Sequence, residues 1–306
     1  MNETLVPGRR AAVAVTVSTV WTSPDAPRGC DAPAIAGVPR PRDWVTGMTG
    51  DQRRGLHGRT LTQVLFGEAV HVDEVAGGWA RIVAVGQAAP GLDPRGYPGW
   101  LPAAHIVPGD APGQGGGPRY VVDALAAALH DGPDASAPAL DVVLGTRLTA
   151  AGPAQGRYVP VAAPGRPAPL WAALADLVPA AAGPPAAADV LRVALRFEGV
   201  PYLWGGVSPY GIDCSGLVHL AHRRLGAAVP RDAGDQADAS RPVEPAGQAP
   251  GDLCFFRGPG GPIDHVAFVH EPGHLLHASG GAGRVLREPL GGTLARRLAA
   301  VHRTLP

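Results

Sequence analysis

Residues 201–226 read PYLWGGVSPYGIDCSGLVHLAHRRLG, and this stretch decides how the C-terminal part of the chain folds. The glycines and prolines before Cys214 predict an irregular loop, whereas Leu217 and Leu220 recur at helical spacing until Gly226 supplies a stop. Cys214 is therefore predicted to begin a helix. Unpaired N–H groups and the helix dipole favour a thiolate there, so the position suits a reactive cysteine, although a cysteine can equally be a small buried apolar residue.

The composition limits the classes of function. A chain of 306 residues is long enough for two or three domains. Its formal net charge of zero provides no basic surface for nucleic acid and no polybasic patch for anionic lipid. The chain contains no lysine, so all of its Lys and Arg residues are arginine. This excludes a phosphate-loop lysine and Schiff-base chemistry.

The cysteines indicate a reducing compartment. Cys30, Cys214 and Cys254 are an odd number and lie far apart, so they form neither a disulfide framework nor a zinc-binding pattern. We expect Cys254, inside an apolar run, to be a core residue.

The N-terminal segment allows two interpretations. Residues 9–21 resemble the charged and apolar parts of a signal peptide, but Val13, Val15 and Val17 alternate with small or polar residues as in a strand. A turn at residues 23–26 stands where a cleavage site would be, so we favour the strand. No uncharged run approaches the roughly 20 residues that span a bilayer.

Residues 8–110 carry short β-type runs separated by turns. The runs 64–72 and 79–85 are predicted to form a hairpin around Gly77 and Gly78, and residues 96–102 lead into another strand. This pattern is typical of a small β-barrel. We expect Trp44 and residues 53–61 to form helical decoration.

A second set of runs follows a Gly/Pro-rich linker at residues 108–118. Residues 142–148 echo 64–70, residues 158–161 echo 79–82, and residues 170–179 echo 100–108, which predicts a second, related barrel. Another linker covers residues 180–188.

The remaining residues predict an α+β domain. Asp189 is expected to cap a helix with an apolar stripe, the Cys214 helix comes next, and strand-like runs follow at 252–256, 265–269 and 274–278.

Two histidines are predicted to meet in the last of these hairpins. A three-residue loop that pairs Val269 with Gly273 would place His265 directly opposite His277, within hydrogen-bonding reach. One imidazole could then orient the other as the base for a cysteine nucleophile. A zinc site made by Cys214 and the two histidines is the alternative.

These residues carry a resemblance to a known family. The motifs DCSGL at 213–217, HVA at 265–267, HAS at 277–279 and GDL at 251–253 together resemble the NlpC-type family of bacterial cell-wall cysteine peptidases, whose fold is papain-like. The two preceding barrels resemble the bacterial SH3-type domains found ahead of this domain in γ-D-glutamyl-L-diamino acid endopeptidases. The resemblance implies a multidomain chain: two small SH3-like β-barrels at 1–110 and 119–180, then an α+β papain-like cysteine peptidase domain at 187–306.

Catalytic roles follow from the same resemblance. It implies Cys214 as nucleophile, His265 as general base and His277 as the orienting third member. Tyr202 matches the tyrosine that lies beside the oxyanion site in this family, and its alternative is a core aromatic.

The resemblance also implies substrate contacts. Asp232, Glu68 and Tyr97 match residues that hold the free amine of an N-terminal L-alanine, and Asp213 and Ser215 would contact substrate. The substrate is then a murein peptide that is cut between γ-D-glutamate and the diamino acid.

The expected partner is thus a murein peptide, with no cofactor, metal, nucleic acid or membrane, and we expect a monomer. Free cysteines, small substrates and the strand interpretation of residues 9–21 favour a cytoplasmic location, with secretion as the alternative. Two rival functions remain: a non-catalytic wall-binding protein, and an amidase or transpeptidase on the same fold.

Overall fold

The computed structural model describes residues 4–111, 117–181, 183–244 and 247–304. Residues 112–116 of the first predicted linker and residue 182 of the second lie outside the described residues. The strands of the first part of the chain are β1 (Arg10–Val13), β2 (Val17–Trp21), β3 (Thr60–Leu65), β4 (Ala69–Ala76), β5 (Trp79–Ala84), β6 (Tyr97–Pro102) and β7 (Ile106–Pro108). Its helices are α1 (Ala32–Ile35), α2 (Pro41–Gly47) and α3 (Gly50–Arg54).

The strands of the middle part are β8 (Arg119–Val122), β9 (Ala126–His130), β10 (Leu140–Val143), β11 (Arg147–Thr149), β12 (Tyr158–Val161), β13 (Leu170–Ala173) and β14 (Leu177–Pro179). The C-terminal strands are β15 (Val207–Ser208), β16 (Gly211–Ile212), β17 (Arg241–Pro242), β18 (Leu253–Arg257), β19 (Ile263–Glu271), β20 (His274–Ser279), β21 (Arg284–Pro289) and β22 (Leu298–Arg303). The C-terminal helices are α4 (Ala187–Leu195), α5 (Cys214–Arg224), α6 (Ala233–Asp238) and α7 (Gly292–Arg297).

The first β-rich unit is one sheet in the order β3-β2-β6-β5-β4-β1-β7. The predicted hairpin is confirmed: Ala76 pairs with Trp79 across Gly77 and Gly78, whose φ values are +57° and +81°. Two consecutive positive φ angles give the tight turn whose twist matches that of the flanking strands, and glycine adopts them without steric cost.

Two predictions for the first unit need correction. Residues 9–21 form the two strands β1 and β2 rather than one, because β1 pairs with β4 and β7 while β2 pairs with β3 and β6. Trp44 lies in a helix as expected, but the helix predicted over 53–61 ends at Arg54. Thr60 already belongs to β3, where it pairs with Trp21.

The second β-rich unit repeats features of the first. Its strands form the sheets β11-β8-β14 and β10-β9-β13-β12. Gly145 (φ +84°) turns the chain after β10 as Gly67 (φ +78°) does after β3, and a short 3₁₀ turn precedes the last strand in both units, at 103–105 and 174–176. The two units therefore share these local features, and their assignment as two related barrels stays a prediction.

The C-terminal unit contains the two-stranded sheet β15-β16 and a six-stranded sheet, ordered β17-β22-β18-β19-β20-β21, against which α5 packs. The three predicted runs are β18, β19 and β20, whereas β21 and β22 were not predicted. Asp189 does not cap α4: the helix begins at Ala187 after Ala186, and Asp189 lies in its first turn, where it pairs with Arg192 at the surface. The predicted apolar stripe of α4 is buried.

Helix α5 lies at the junction of the three units, and each of its residues is buried. Leu217 and Leu220 join a core cluster that also contains Leu65 from the first unit and Leu144 from the second. Both β-rich units therefore help to fix this helix. Within the described residues, no helix is both long and apolar enough to cross a membrane.

Candidate active site

The loop before α5 is fixed by the residue that caps the helix. The Asp213 carboxylate accepts hydrogen bonds from the N–H groups of Gly216 (2.6 Å) and Gly205 (2.8 Å). A side chain on Gly216 would place its Cβ 2.2 Å from the Gly206 carbonyl oxygen, so only glycine fits. This arrangement starts the helix at Cys214, as the sequence predicted.

A buried arginine holds the residues on both sides of the thiol. Arg231 donates to both carboxylate oxygens of Asp213 (3.0 and 2.7 Å), to the Ser215 hydroxyl (2.9 Å) and to the Thr62 hydroxyl (2.8 Å). The side chains of Asp213 and Ser215 are thus occupied by structural bonds. A contact of either one with substrate stays a prediction.

The first β-rich unit supports the loop directly. The Thr60 hydroxyl donates to the Trp204 carbonyl (2.8 Å), and the Gln63 side chain accepts from the Val207 N–H (3.0 Å). The two partners of each bond are 144 residues apart in the chain, which is why local patterns gave no signal for these supports. Strand β3 therefore forms part of the site's scaffold.

The hairpin that carries the two predicted catalytic histidines has a different register from the expected one. Val269 pairs with Leu275 and not with Gly273, because Pro272 and Gly273 form a two-residue turn and the register shifts between Val269 and Glu271. The prediction that the histidines lie directly opposite is wrong. They are diagonal neighbours on one face, a separation that two imidazoles can still span.

The hydrogen bond predicted between the histidines is nevertheless present, and a carboxylate extends it. His265 Nε2 lies 2.7 Å from His277 Nδ1, and His277 Nε2 lies 2.7 Å from Glu288 Oε1. Glu288 belongs to β21, a strand that the sequence did not predict. Residues 284–289 read RVLREP and do not alternate apolar and polar side chains, so the strand carried no period-2 signal.

The thiol lies against the strand that carries His265. The N–H groups of Val266 and Ser215 both interact with the sulfur and lower its pKa. Burial, followed by the negative charge of Asp213, has the larger effect and raises the pKa of Cys214 above its usual range. Desolvation of the sulfur therefore outweighs the stabilisation of the thiolate that was expected at the helix start.

The neighbouring imidazoles are also shifted towards their neutral forms. Burial, followed by the charges of His277 and Arg297, lowers the pKa of His265. Burial also lowers the pKa of His277, although Glu288 opposes that shift. The thiol and both imidazoles are therefore all shifted towards their neutral forms.

Tyr202 lies in the electrostatic neighbourhood of the thiol. Burial and, next, Cys214 raise the pKa of Tyr202, so the phenol keeps its proton and remains a hydrogen-bond donor. The backbone N–H of Tyr202 donates to the Gly283 carbonyl (2.8 Å). This bond ties the segment before the loop to the turn between β20 and β21.

Two of the predicted amine-binding residues meet across the boundary between units. The Tyr97 hydroxyl donates to the Asp232 carboxylate (2.9 Å). Asp232 precedes α6 but makes no capping bond to it. Burial raises the pKa of Asp232, and the adjacent Arg231 partly opposes this shift.

The third predicted amine-binding residue, Glu68, has its observed partners elsewhere. The Glu68 carboxylate accepts from the Leu65 N–H (3.0 Å) and forms an ion pair with Arg223 (2.6 Å) in the last turn of α5. Arg223 also donates to the Gly145 carbonyl (3.1 Å) of the second unit. Glu68 is thus placed to join the first unit to the helix, and an amine contact by it stays a prediction.

The part of the chain that the structure describes contains no group of three or more His, Cys, Asp or Glu residues that could hold a metal ion. The zinc alternative for the thiol and the two histidines therefore gains no support.

A thiol at a helix start, against the strand that carries one of two hydrogen-bonded histidines, is an arrangement typical of thiol-dependent hydrolases. The model of the NlpC/P60 family matches residues 199–303, and the chain belongs to this family of cysteine peptidases.

Similar proteins extend the match beyond that domain. The chain is 33% identical over 272 residues to a γ-D-glutamyl-L-lysine dipeptidyl-peptidase of Bacillus subtilis, which covers 86% of this chain and 87% of that protein. It is 41% identical over 129 residues to the peptidoglycan endopeptidase RipB of Mycobacterium tuberculosis, covering 38% of this chain and 53% of RipB. The crystal structure of an NlpC/P60 family protein from Bacillus cereus superposes with a TM-score of 0.89 at 29% identity, covering 97% of this chain and 100% of that one.

Proposed function

We propose that this protein hydrolyses the γ-D-glutamyl-L-diamino acid bond of murein peptides that begin with a free L-alanine. The observation that carries the proposal is the hydrogen-bonded pair of His265 and His277 on the strands beside Cys214. The similarity to a γ-D-glutamyl-L-lysine dipeptidyl-peptidase over most of both chains supports the choice of bond.

The chemistry proceeds through a thioester. His265 takes the proton of Cys214 as the sulfur attacks the γ-carbonyl carbon of D-glutamate. The Cys214 N–H and the Tyr202 hydroxyl donate to the oxyanion of the tetrahedral intermediate. The imidazolium then protonates the leaving amine of the diamino acid, and water hydrolyses the thioester with His265 again acting as base.

Asp232 supplies the anionic partner for the free amine of L-alanine. Its carboxylate is held by the Tyr97 hydroxyl and is not used to cap α6. A positive amine gains a charge-assisted hydrogen bond there, whereas an N-acetylated or wall-linked peptide does not. The enzyme would thus release a dipeptide from already-cut fragments.

The domain organisation forms part of the proposal. We assign residues 1–110 and 119–180 to two bacterial SH3-type domains and residues 187–306 to the papain-like peptidase domain. The bonds from Thr60, Gln63 and Tyr97 to the site loop and Asp232 support a first domain that closes one end of the groove.

A chromatographic assay tests the function. L-Ala-γ-D-Glu-L-Lys and its meso-diaminopimelate counterpart are compared with the same peptides carrying an N-acetyl group. We expect release of L-Ala-γ-D-Glu from the free peptides alone. Equal cleavage of blocked and free peptides would contradict the amine site, and a ligated product instead of a hydrolysed one would indicate a transpeptidase.

The compartment and the oligomeric state stay proposals. Free Cys30, Cys214 and Cys254 agree with a reducing, cytoplasmic location. Cell fractionation tests the location, and light scattering on the purified chain tests the proposed monomer.

A further inference from the structure

Glu288 provides the last acceptor in a line of hydrogen bonds that runs from His265 through His277. On β21 it pairs with Leu275, which places it diagonal to His277 on the neighbouring strand. Its carboxylate is partly exposed, whereas the His277 side chain is 2% exposed and reaches it over 2.7 Å. The adjacent Arg287 pairs with Glu198, so it does not compete for this carboxylate.

The directions of these hydrogen bonds follow from counting protons. A carboxylate accepts and cannot donate, so His277 must carry its proton on Nε2. The neutral His277 ring then has a bare Nδ1, which accepts from His265 Nε2–H. His265 is left with a bare Nδ1, and that nitrogen is the one free to accept the thiol proton of Cys214.

We propose that Glu288 is a positioning residue that fixes the tautomers of His277 and His265, so that His265 keeps an unprotonated Nδ1 for Cys214. This proposal rests on the proposed function, because it assumes that His265 is the base. It adds a carboxylate to the predicted Cys–His–His set. When His265 becomes an imidazolium during the reaction, the Glu288 charge also stabilises the positive pair of rings.

The same hairpin contains a carboxylate–histidine pair that serves as a comparison. Glu271 lies 3.5 Å from His274, and both side chains are solvent-exposed beside the turn. That pair does not touch the His265–His277 bond. Glu271→Gln is therefore a matched control, since it removes a carboxylate next to a histidine in this hairpin without altering the proposed line of bonds.

The test uses Glu288→Gln, Glu288→Leu and Glu271→Gln in the full chain. In Glu288→Gln, the amide oxygen can still accept from His277 Nε2–H but carries no charge, whereas leucine removes both the acceptor and the charge. We expect kcat on the free tripeptide to fall about 10-fold for Glu288→Gln and about 100-fold for Glu288→Leu, with KM within about twofold. Glu271→Gln should match the wild type.

Nitrogen-15 NMR of labelled histidines reports the tautomer of each imidazole directly. A purely structural role of Glu288 would leave these tautomers unchanged. The wild type should show both His277 and His265 as single Nε2–H tautomers at neutral pH, assigned by His277→Asn and His265→Asn. Glu288→Leu should show mixed tautomers. Should leucine prevent folding, the fall in kcat for Glu288→Gln at unchanged KM decides the question.

The outcomes separate this proposal from the proposed function. Wild-type kcat in folded Glu288→Leu, or an unchanged single-tautomer spectrum, would overturn the role of Glu288. The spectrum is independent of peptide turnover, so it reports on Glu288 even if the substrate assignment fails. Turnover by Cys214→Ala, in contrast, would show that Cys214 is not the nucleophile and would contradict the proposed function.

Discussion

The guanidinium of Arg231 and the carboxylate of Asp213 form a two-pronged ion pair of 3.0 and 2.7 Å directly beside the nucleophile. Arg231 is 1% exposed, and the Asp213 side chain is 10% exposed. The same carboxylate caps α5 and holds Gly205 in the preceding loop. One buried pair thus connects the loop, the helix start and, through Thr62, the first β-rich unit.

Removing one partner of this pair should destabilise the fold strongly. Asp213→Ala leaves the Arg231 charge buried and unpaired, and we expect the free energy of unfolding to fall by about 3–5 kcal/mol. Urea denaturation measures the loss. Asp189→Ala is the control, because its pair with Arg192 is exposed on the surface and should contribute no more than about 1 kcal/mol. Similar losses in both variants would show that the buried pair contributes no more to stability than the exposed pair.

The two acidic residues expected at the amine site should respond differently to neutralisation. Asp232→Asn removes a charge-assisted bond and should raise KM for the free tripeptide about 10–100-fold, with no effect on the N-acetylated one. Because burial raises the pKa of Asp232, amine binding should weaken as the pH falls through that raised value.

Glu68→Gln should instead lower the melting temperature and leave KM unchanged, since Glu68 pairs with Arg223. Steady-state kinetics and thermal denaturation of both variants check the pair of predictions. An equal rise in KM for both variants would contradict this and support a contact of Glu68 with the amine.

His219 should make the fold sensitive to acid. It is buried in α5, where Nδ1–H donates to the Val229 carbonyl (3.0 Å), and burial lowers the pKa of His219 to about 3. Its contribution to stability is complete above the unfolded-state value of about 6.5 and is lost as the pH falls towards 3, because only the unfolded chain takes up the proton.

Lowering the pH from 7 to 5 should reduce the free energy of unfolding by about 2 kcal/mol through this histidine alone. In His219→Gln the fall in the free energy of unfolding over that range should be smaller by this amount. Urea denaturation at both values measures it, with His57→Gln at the exposed surface as control. The same pH dependence in His219→Gln and wild type would refute the assignment.

Local patterns in the sequence predicted much of the fold. The start of α5 at Cys214 and its stop before Gly226 follow from periodicity and glycine placement, and the hairpin across Gly77 and Gly78 follows from turn chemistry. The predicted repeat drew on runs in which Gly67 and Gly145 follow a strand, and both glycines adopt a positive φ there. Each of these features depends on residues close together in the chain.

Features that depend on distant pairing were missed or misplaced. The bulge in β19 shifted the histidine register, and no local signal indicates a bulge. Glu288 was overlooked because β21 follows a glycine-rich turn and was not recognised as a strand. The ion pair of Glu68 with Arg223 was missed because it depends on the packing of separate units, while an amine contact by Glu68 stays a prediction.

The role of Cys214 as the nucleophile can be tested directly by measuring peptide turnover. Turnover of L-Ala-γ-D-Glu-L-Lys is compared for wild type, Cys214→Ala and Cys254→Ala, with circular dichroism to verify folding; Cys254 is a buried core cysteine on β18. We expect no dipeptide release by folded Cys214→Ala and retained release by Cys254→Ala. Dipeptide release by Cys214→Ala at a rate near that of the wild type would contradict this role.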